Sequence, residues 1–285
     1  MNISAFSEHR CRLGEGPLWD SATETLYWVD SLGPVLYRHR ASDGISSWRL
    51  EGAHVGSLAV REQGGLMLAM DRGFYCFDPR SGEIETIAEP LAGRDGLRFN
   101  DGKVDPFGHF VAGAMNIDVE GRENAFMYRL TPALEVEEML DGFQCFNGPC
   151  FSLDGELLYV TGRRPGVIEV FDYGREQRPR NGRVLLEECD PDGATVDAEG
   201  YIWSAQWEDE CLLRIAPDGR VDTRLEIPGQ VVTSVMFGGC GLERIFVTTL
   251  GEDYYGAAPS GESPGRVLVV DDSGYRGRPE PRFKG

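Results

Sequence analysis

A repeat constrains this chain before anything else does. Four segments superimpose: GEGPLWDSATETLYWVD from Gly14, NDGKVDPFGHFVAG from Asn100, FNGPCFSLDGELLYVTG from Phe146 and PDGATVDAEGYIWSA from Pro191. Each passes from a polar residue and glycine into a short strand, a turn and a second strand. VGSLAVREQGGLMLAM from Val55 and TSVMFGGCGLERIFVT from Thr233 are weaker copies. With Glu15, Gly56, Asp101, Asn147, Asp192 and Thr233 as leading positions, the spacings are 41, 45, 46, 45 and 41 residues. Further strand-and-turn pieces, such as FYCFDPRSGEIETIA and FMYRLTPALEVEEML, fill the intervals. Units of ~40–45 residues with about four strands each are the sequence form of β-propeller blades. We therefore expect an all-β fold, a six-bladed β-propeller with four-stranded blades around a central channel, as a single domain over 1–285. The N-terminal stretch should complete the last sheet and close the ring. The tail GYRGRPEPRFKG reads as loosely held.

Composition agrees and removes several functions. The 37 glycines and 16 prolines suit many short strands and tight turns. A formal charge of -19, spread along the chain, repels nucleic acid and anionic membrane surfaces. The N-terminus lacks a basic and then apolar leader, and no apolar run is long enough to span a bilayer. These features predict a cytoplasmic protein, a monomer or weak homo-oligomer, with neither nucleic acid nor membrane as partner. Seven scattered cysteines without a CxxC pair read as free thiols.

In a propeller the innermost strands line the channel, so equivalent positions converge on one axis. Glu15, Asn100 with Asp101, Asn147 and Asp192 fall at or beside the leading position, whereas the remaining blades offer Val55-Gly56 and Val232-Thr233. Turn chemistry explains any one copy: Asn100-Asp101-Gly102, within Arg98 to Met115, reads as the polar turn of a hairpin. It does not explain four blades, because Glu15 is not a turn residue and converging carboxylates raise each other's pKa. A bound divalent cation relieves that repulsion. Oxygen donors without thiolate suit Ca²⁺, Mg²⁺ or Mn²⁺, and mixed oxygen sites also accept Zn²⁺ or Fe(II). Three protein ligands leave coordination positions open for water and substrate.

The segments GEGPLW, RFNDGKVDPFGHFVAGAM, FNGPCFSLDGELLYVTG, PDGATVDAEGYIW and TSVMFGG resemble, in order and over nearly the whole chain, the regucalcin/SMP-30, gluconolactonase and sugar-lactonase family. The resemblance implies a six-bladed propeller that hydrolyses the lactone of a sugar acid (an aldonolactone) in carbohydrate catabolism with one divalent cation. It implies Glu15, Asn147 and Asp192 as metal ligands, and Arg98 and Asn100 as substrate contacts. Asp118 matches an acid that contacts the sugar, with Glu120 and Glu123 as rivals. On that reading Asp192 doubles as general base, while Arg98 offers a planar fork of donors. Asn100 can recognise a hydroxyl but cannot act as a base.

One departure from the family stands out. After LLYVT, where many members continue Asp-Ser, this chain has Gly162-Arg163-Arg164-Pro165. Arg163 and Arg164 either meet an anionic group on a carboxylated, sulfonated or phosphorylated lactone, or form a solvated turn. Trp207 either walls the pocket or packs between blades, and Tyr254-Tyr255 lie in a loop placed to cover the site. Other chemistry has little support: no GxSxG elbow occurs, and His9, His39, His54 and His109 miss the leading position. Two alternatives remain. A non-enzymatic calcium-binding regulatory propeller has no use for a buried arginine beside the ligands, and a phosphotriesterase or non-sugar esterase would want a more apolar pocket.

Overall fold

The structure is a computed structural model that describes residues 1–117, 122–162 and 166–285. Six four-stranded antiparallel sheets form a six-bladed β-propeller, as the repeat period requires. Blade 1 contains Gly14–Asp20, Thr25–Asp30, Val35–Arg40 and Gly44–Arg49, counted outward from the channel. The innermost strands of blades 2 to 6 are Val55–Val60, Leu97–Val104, Phe146–Phe151, Pro191–Val196 and Val232–Gly238. Among the described residues no helix is long and apolar enough to cross a membrane.

The strands follow from the residues. Second strands such as Thr25–Asp30 and Leu66–Met70 are buried along their whole length, so they read as continuous apolar runs. Outermost strands such as Ile84–Ala88 face solvent and are largely polar. Neighbouring blades pack face to face, and clusters such as Trp19 with Phe246 and Trp203 with Phe237 fill the wedges between them. The ring closes as expected: Asn2–Ala5 pairs antiparallel with Leu268–Asp271 as the fourth strand of blade 6. Inside the ring, Thr233 Oγ1 donates to the Gly14 carbonyl at 2.6 Å, joining blade 6 to blade 1.

Two expectations are corrected. Asn100-Asp101-Gly102 is no hairpin turn, because Leu97–Val104 is one strand whose pairing with Phe110–Asn116 slips between Phe99 and Gly102. The same irregularity occurs in every blade, at Glu15/Leu18, Val55/Ser57, Asn147/Cys150, Pro191/Ala194 and Val232/Ser234. A bulge bends a strand and re-aims its side chains, and it needs the same small and polar residues as a turn. Gly16 and Gly148, each directly after a site donor, adopt the left-handed φ of +53° and +49° that such a bulge demands.

The C-terminal tail, expected to be loose, is strapped across the face where the innermost strands end. It bonds every blade: Ala198 N to Arg276 O, Gly277 N to Leu242 O, Arg278 Nη1 to Ser152 O and Lys284 N to Gly108 O. Arg282 forks onto Asp20 at 2.6–3.1 Å, and Phe283 N donates to Val60 O. Glu280 closes the channel floor against Lys103 and Thr195. The Gly/Pro/Arg composition suggested disorder because these partners are distant in sequence. Phe283 is fully buried, so Phe283→Ala should cost about 3–5 kcal/mol and lower the denaturation midpoint. A midpoint unchanged from the parent protein would show that the strap does not brace the ring.

Candidate active site

At the end of the channel opposite the strap, the bulges bring Glu15, Arg98, Asn100, Asn147 and Asp192 into one pocket. Leu13, Met115 and Trp207 supply apolar walls, Gln144 and Cys145 lie beside Asn147, and Tyr254 and Tyr255 reach in from the long segment before the third strand of blade 6, Leu268–Asp271. Asp118, Arg163, Arg164 and Glu120 lie outside the described residues. Glu123 is exposed and does not line the pocket.

The remaining leading positions have reasons to carry no donor. A Cβ at Gly56 would collide with the backbone carbonyl of Asn100, because blades 2 and 3 approach closely there. Thr233 uses its hydroxyl to join blades. Asp101 points deeper into the channel and accepts from Gly102 N at 2.7 Å and Gly148 N at 2.9 Å, which pins blade 3 to blade 4. The Asp192 carbonyl takes Thr161 Oγ1 at 2.7 Å, so that residue is fixed from the neighbouring blade as well.

Arg98 is 4% exposed. Its hydrogen bonds among the described residues run to neutral groups: Nη1 to the Phe99 carbonyl at 2.8 Å and Asn100 Oδ1 at 3.2 Å, Nη2 to the Tyr254 hydroxyl at 3.4 Å. Its Nε has no partner among the described residues. Asn100 links this guanidinium to the donors of blade 4, giving Nδ2 to the Phe146 carbonyl at 3.1 Å and to Asn147 Oδ1 at 2.5 Å. Its amide therefore bridges Arg98 and Asn147, leaving acceptor capacity at Oδ1 for a ligand.

Electrostatics set this pocket apart from the rest of the ring. Burial pushes the Glu15 carboxyl well above the usual carboxylate range, and the charges of Asp192 and Asp101 push it further. The Gly16 amide and Arg98 oppose the shift. Burial also raises Asp101, against Lys103 and two backbone amides. Among the described residues no three His, Cys, Asp or Glu side chains gather as a metal cage. The donor set is two carboxylates and one amide oxygen, from Glu15, Asp192 and Asn147. A hard cation suits these oxygens and would neutralise the repulsion that raises Glu15.

The histidines stay outside this pocket. His109 is tied to buried Asp105 at 2.7 Å, which also accepts from Tyr173, and His54 lies beside Asp71. All seven cysteines are free. Gln144, Met115 and Leu13 were not singled out by the sequence reading. Gln144 directly precedes the CFNGP segment, and proximity was the only signal it offered.

Comparison with known proteins fits this geometry. The family described as SMP-30/Gluconolactonase/LRE-like region matches residues 13–251. A protein named Pentonolactonase XacC from Haloferax volcanii is 33% identical over 294 residues, spanning 99% of this chain and 98% of its own. A 6-deoxy-6-sulfogluconolactonase from Pseudomonas putida is 32% identical, spanning 85% and 84%. The crystal structure of a calcium-binding protein, regucalcin, from Agrobacterium tumefaciens superimposes with a TM-score of 0.87 at 25% identity, spanning 99% of this chain and 97% of that one. This chain belongs to the SMP-30/gluconolactonase/LRE-like family.

Proposed function

We propose that this protein hydrolyses the lactone of a sugar acid to the free acid, with a divalent cation held by Glu15, Asn147 and Asp192. The observation that carries this reading is Arg98: a buried guanidinium whose Nε has no partner among the described residues, facing two carboxylates and bonded to neutral groups. A buried donor without a partner is costly unless a ligand completes it. A calcium-binding regulatory propeller has no need of such a group. The two relatives named as lactonases support the same reaction.

The cation, when bound, supplies Lewis acidity toward a carbonyl and makes a water more acidic. Asp192 takes the proton of the attacking water as general base. Arg98 presents its donors to the lactone oxygens and stabilises the negative charge that develops on ring opening. Asn100 fixes the guanidinium and Asn147 in one arrangement, so neither reorganises during the reaction. Leu13, Met115 and Trp207 keep the pocket partly dry, which strengthens each of these interactions. A lactone bearing an anionic group is the second reading. It is favoured by the relative named as a sulfogluconolactonase and by the pair Arg163-Arg164 in the sequence.

Protein supplied with Ca²⁺, Zn²⁺, Mg²⁺ or Mn²⁺ should open at least one aldonolactone of a neutral and anionic panel, followed by acid release with a pH indicator. Asp192→Ala should lose about 10²-fold or more. No acceleration over spontaneous opening for any lactone and any metal rejects the reading. Arg163→Ala and Arg164→Ala should weaken anionic lactones selectively, and an equal loss on neutral ones removes the second reading. Cation binding should also raise the melting temperature, with about 2.7 kcal/mol of added stability at a concentration 100 times Kd. Glu15→Gln should shrink that gain, and a gain of wild-type size would remove Glu15 from the ligand set.

A further inference from the structure

Residues 254 to 257 form a tight hairpin over the pocket. Tyr254 N donates to the Ala257 carbonyl and Ala257 N to the Tyr254 carbonyl, both at 3.0 Å. The two central residues, Tyr255 and Gly256, have φ of +48° and +88°, the values of a type I′ turn. Glycine is at home there. Asn or Asp is the usual residue at the position of Tyr255, because a bulky side chain is disfavoured at positive φ. Strain of this kind persists where the surroundings hold it, and ligand clamps are among the places it occurs.

What holds it is a bond across the mouth. Tyr255 Oη donates to the Ile117 carbonyl at 2.9 Å, just past the second strand of blade 3. Burial pushes the Tyr255 phenol up to about 12, so it remains a donor at neutral pH. Tyr254 turns the other way. Its hydroxyl accepts from Arg98 Nη2, its ring stands 6.3 Å from Trp207, and Tyr255 meets it edge-on at 4.5 Å. The hairpin thus touches the guanidinium at the pocket's centre and the wall on its far side.

We propose that the Tyr254-Tyr255 hairpin selects the substrate: Tyr254, sharing Arg98, orients a hydroxyl on the lactone ring, and Tyr255 latches the hairpin against Ile117. This rests on the lactonase reading above and assigns the preference for ring-hydroxylated lactones over unhydroxylated ones of equal ring size to one side chain, Tyr254. Both groups a ring hydroxyl would meet have complementary roles. Arg98 only donates, whereas the Tyr254 hydroxyl both donates and accepts. A lactone without ring hydroxyls would leave the buried Arg98 Nε and the half-buried Tyr254 hydroxyl without a ligand partner, which is the stronger route to discrimination.

The test compares wild type, Tyr254→Phe and Tyr255→Asn on an aldonolactone and the unhydroxylated lactone of the same ring size. Calorimetric binding of the two corresponding open-chain acids runs alongside, all with Ca²⁺ present. Tyr254→Phe should reduce the preference for the hydroxylated lactone, as a ratio of kcat/KM, about fivefold, with a similar loss in relative affinity for the hydroxylated acid. Tyr255→Asn, which relieves the turn but removes the latch, should raise KM about fivefold for both lactones and leave their ratio at the wild-type value. An equal loss on both lactones in Tyr254→Phe, as a merely structural residue would give, overturns the assignment of Tyr254. Wild-type KM values in Tyr255→Asn overturn the latch. If wild type opens no lactone of the panel above with any of its metals, the lactonase reading fails by itself. The binding comparison then still decides Tyr254: wild-type discrimination between the two acids in Tyr254→Phe overturns its role.

Discussion

Closing six sheets into a ring forces equivalent residues of the innermost strands onto one axis, where they meet whatever charges they carry. Glu15 and Asp192 come from blades 1 and 5, far apart in sequence, yet the charge of Asp192 disfavours ionisation of Glu15. The fold sets that repulsion. It is tolerable only with compensating charge, and Arg98 is the positive group the ring places among them. One guanidinium against two carboxylates leaves an excess of negative charge that suits a divalent cation. The proposed metal and substrate sites are thus adjacent for one electrostatic reason.

The bulges make this convergence possible. An unbroken strand alternates its side chains between the two faces, and both faces of a blade are packed against neighbours. Slipping the register at Glu15/Leu18, Phe99/Gly102, Asn147/Cys150 and Pro191/Ala194 turns the local side chains out of that alternation and along the channel. The slip also frees backbone amides such as Gly102 N and Gly148 N, and Asp101 accepts both. The bulge therefore aims one polar residue at the pocket and consumes another in holding itself.

The repeat made the blade number, the ring closure by the N-terminus and the list of converging donors legible in the sequence, because each depends on residue type at a fixed period. The bulges were misread as turns for a definite reason: Asn100-Asp101-Gly102 has the composition of either, and only the pairing of Arg98 with Met115 and Lys103 with Val111 separates them. The tail was misread because Arg282 needs Asp20 and Phe283 needs Val60, partners more than two hundred residues away. Gly56 looked like a weak copy of the repeat. It is a position where the Asn100 carbonyl leaves no room for a side chain.

The two ends of the channel differ in how they are built, and that difference bears on function. At the strap end, backbone bonds to separate blades, the Arg282 fork and the buried Phe283 ring make closure the sum of many interactions. At the pocket end, a two-residue turn in a disfavoured conformation rests on single hydroxyl contacts from Tyr254 and Tyr255. The tyrosines of the hairpin stand over Arg98, whereas Glu280 of the strap lies against Lys103 and Thr195 at the opposite end.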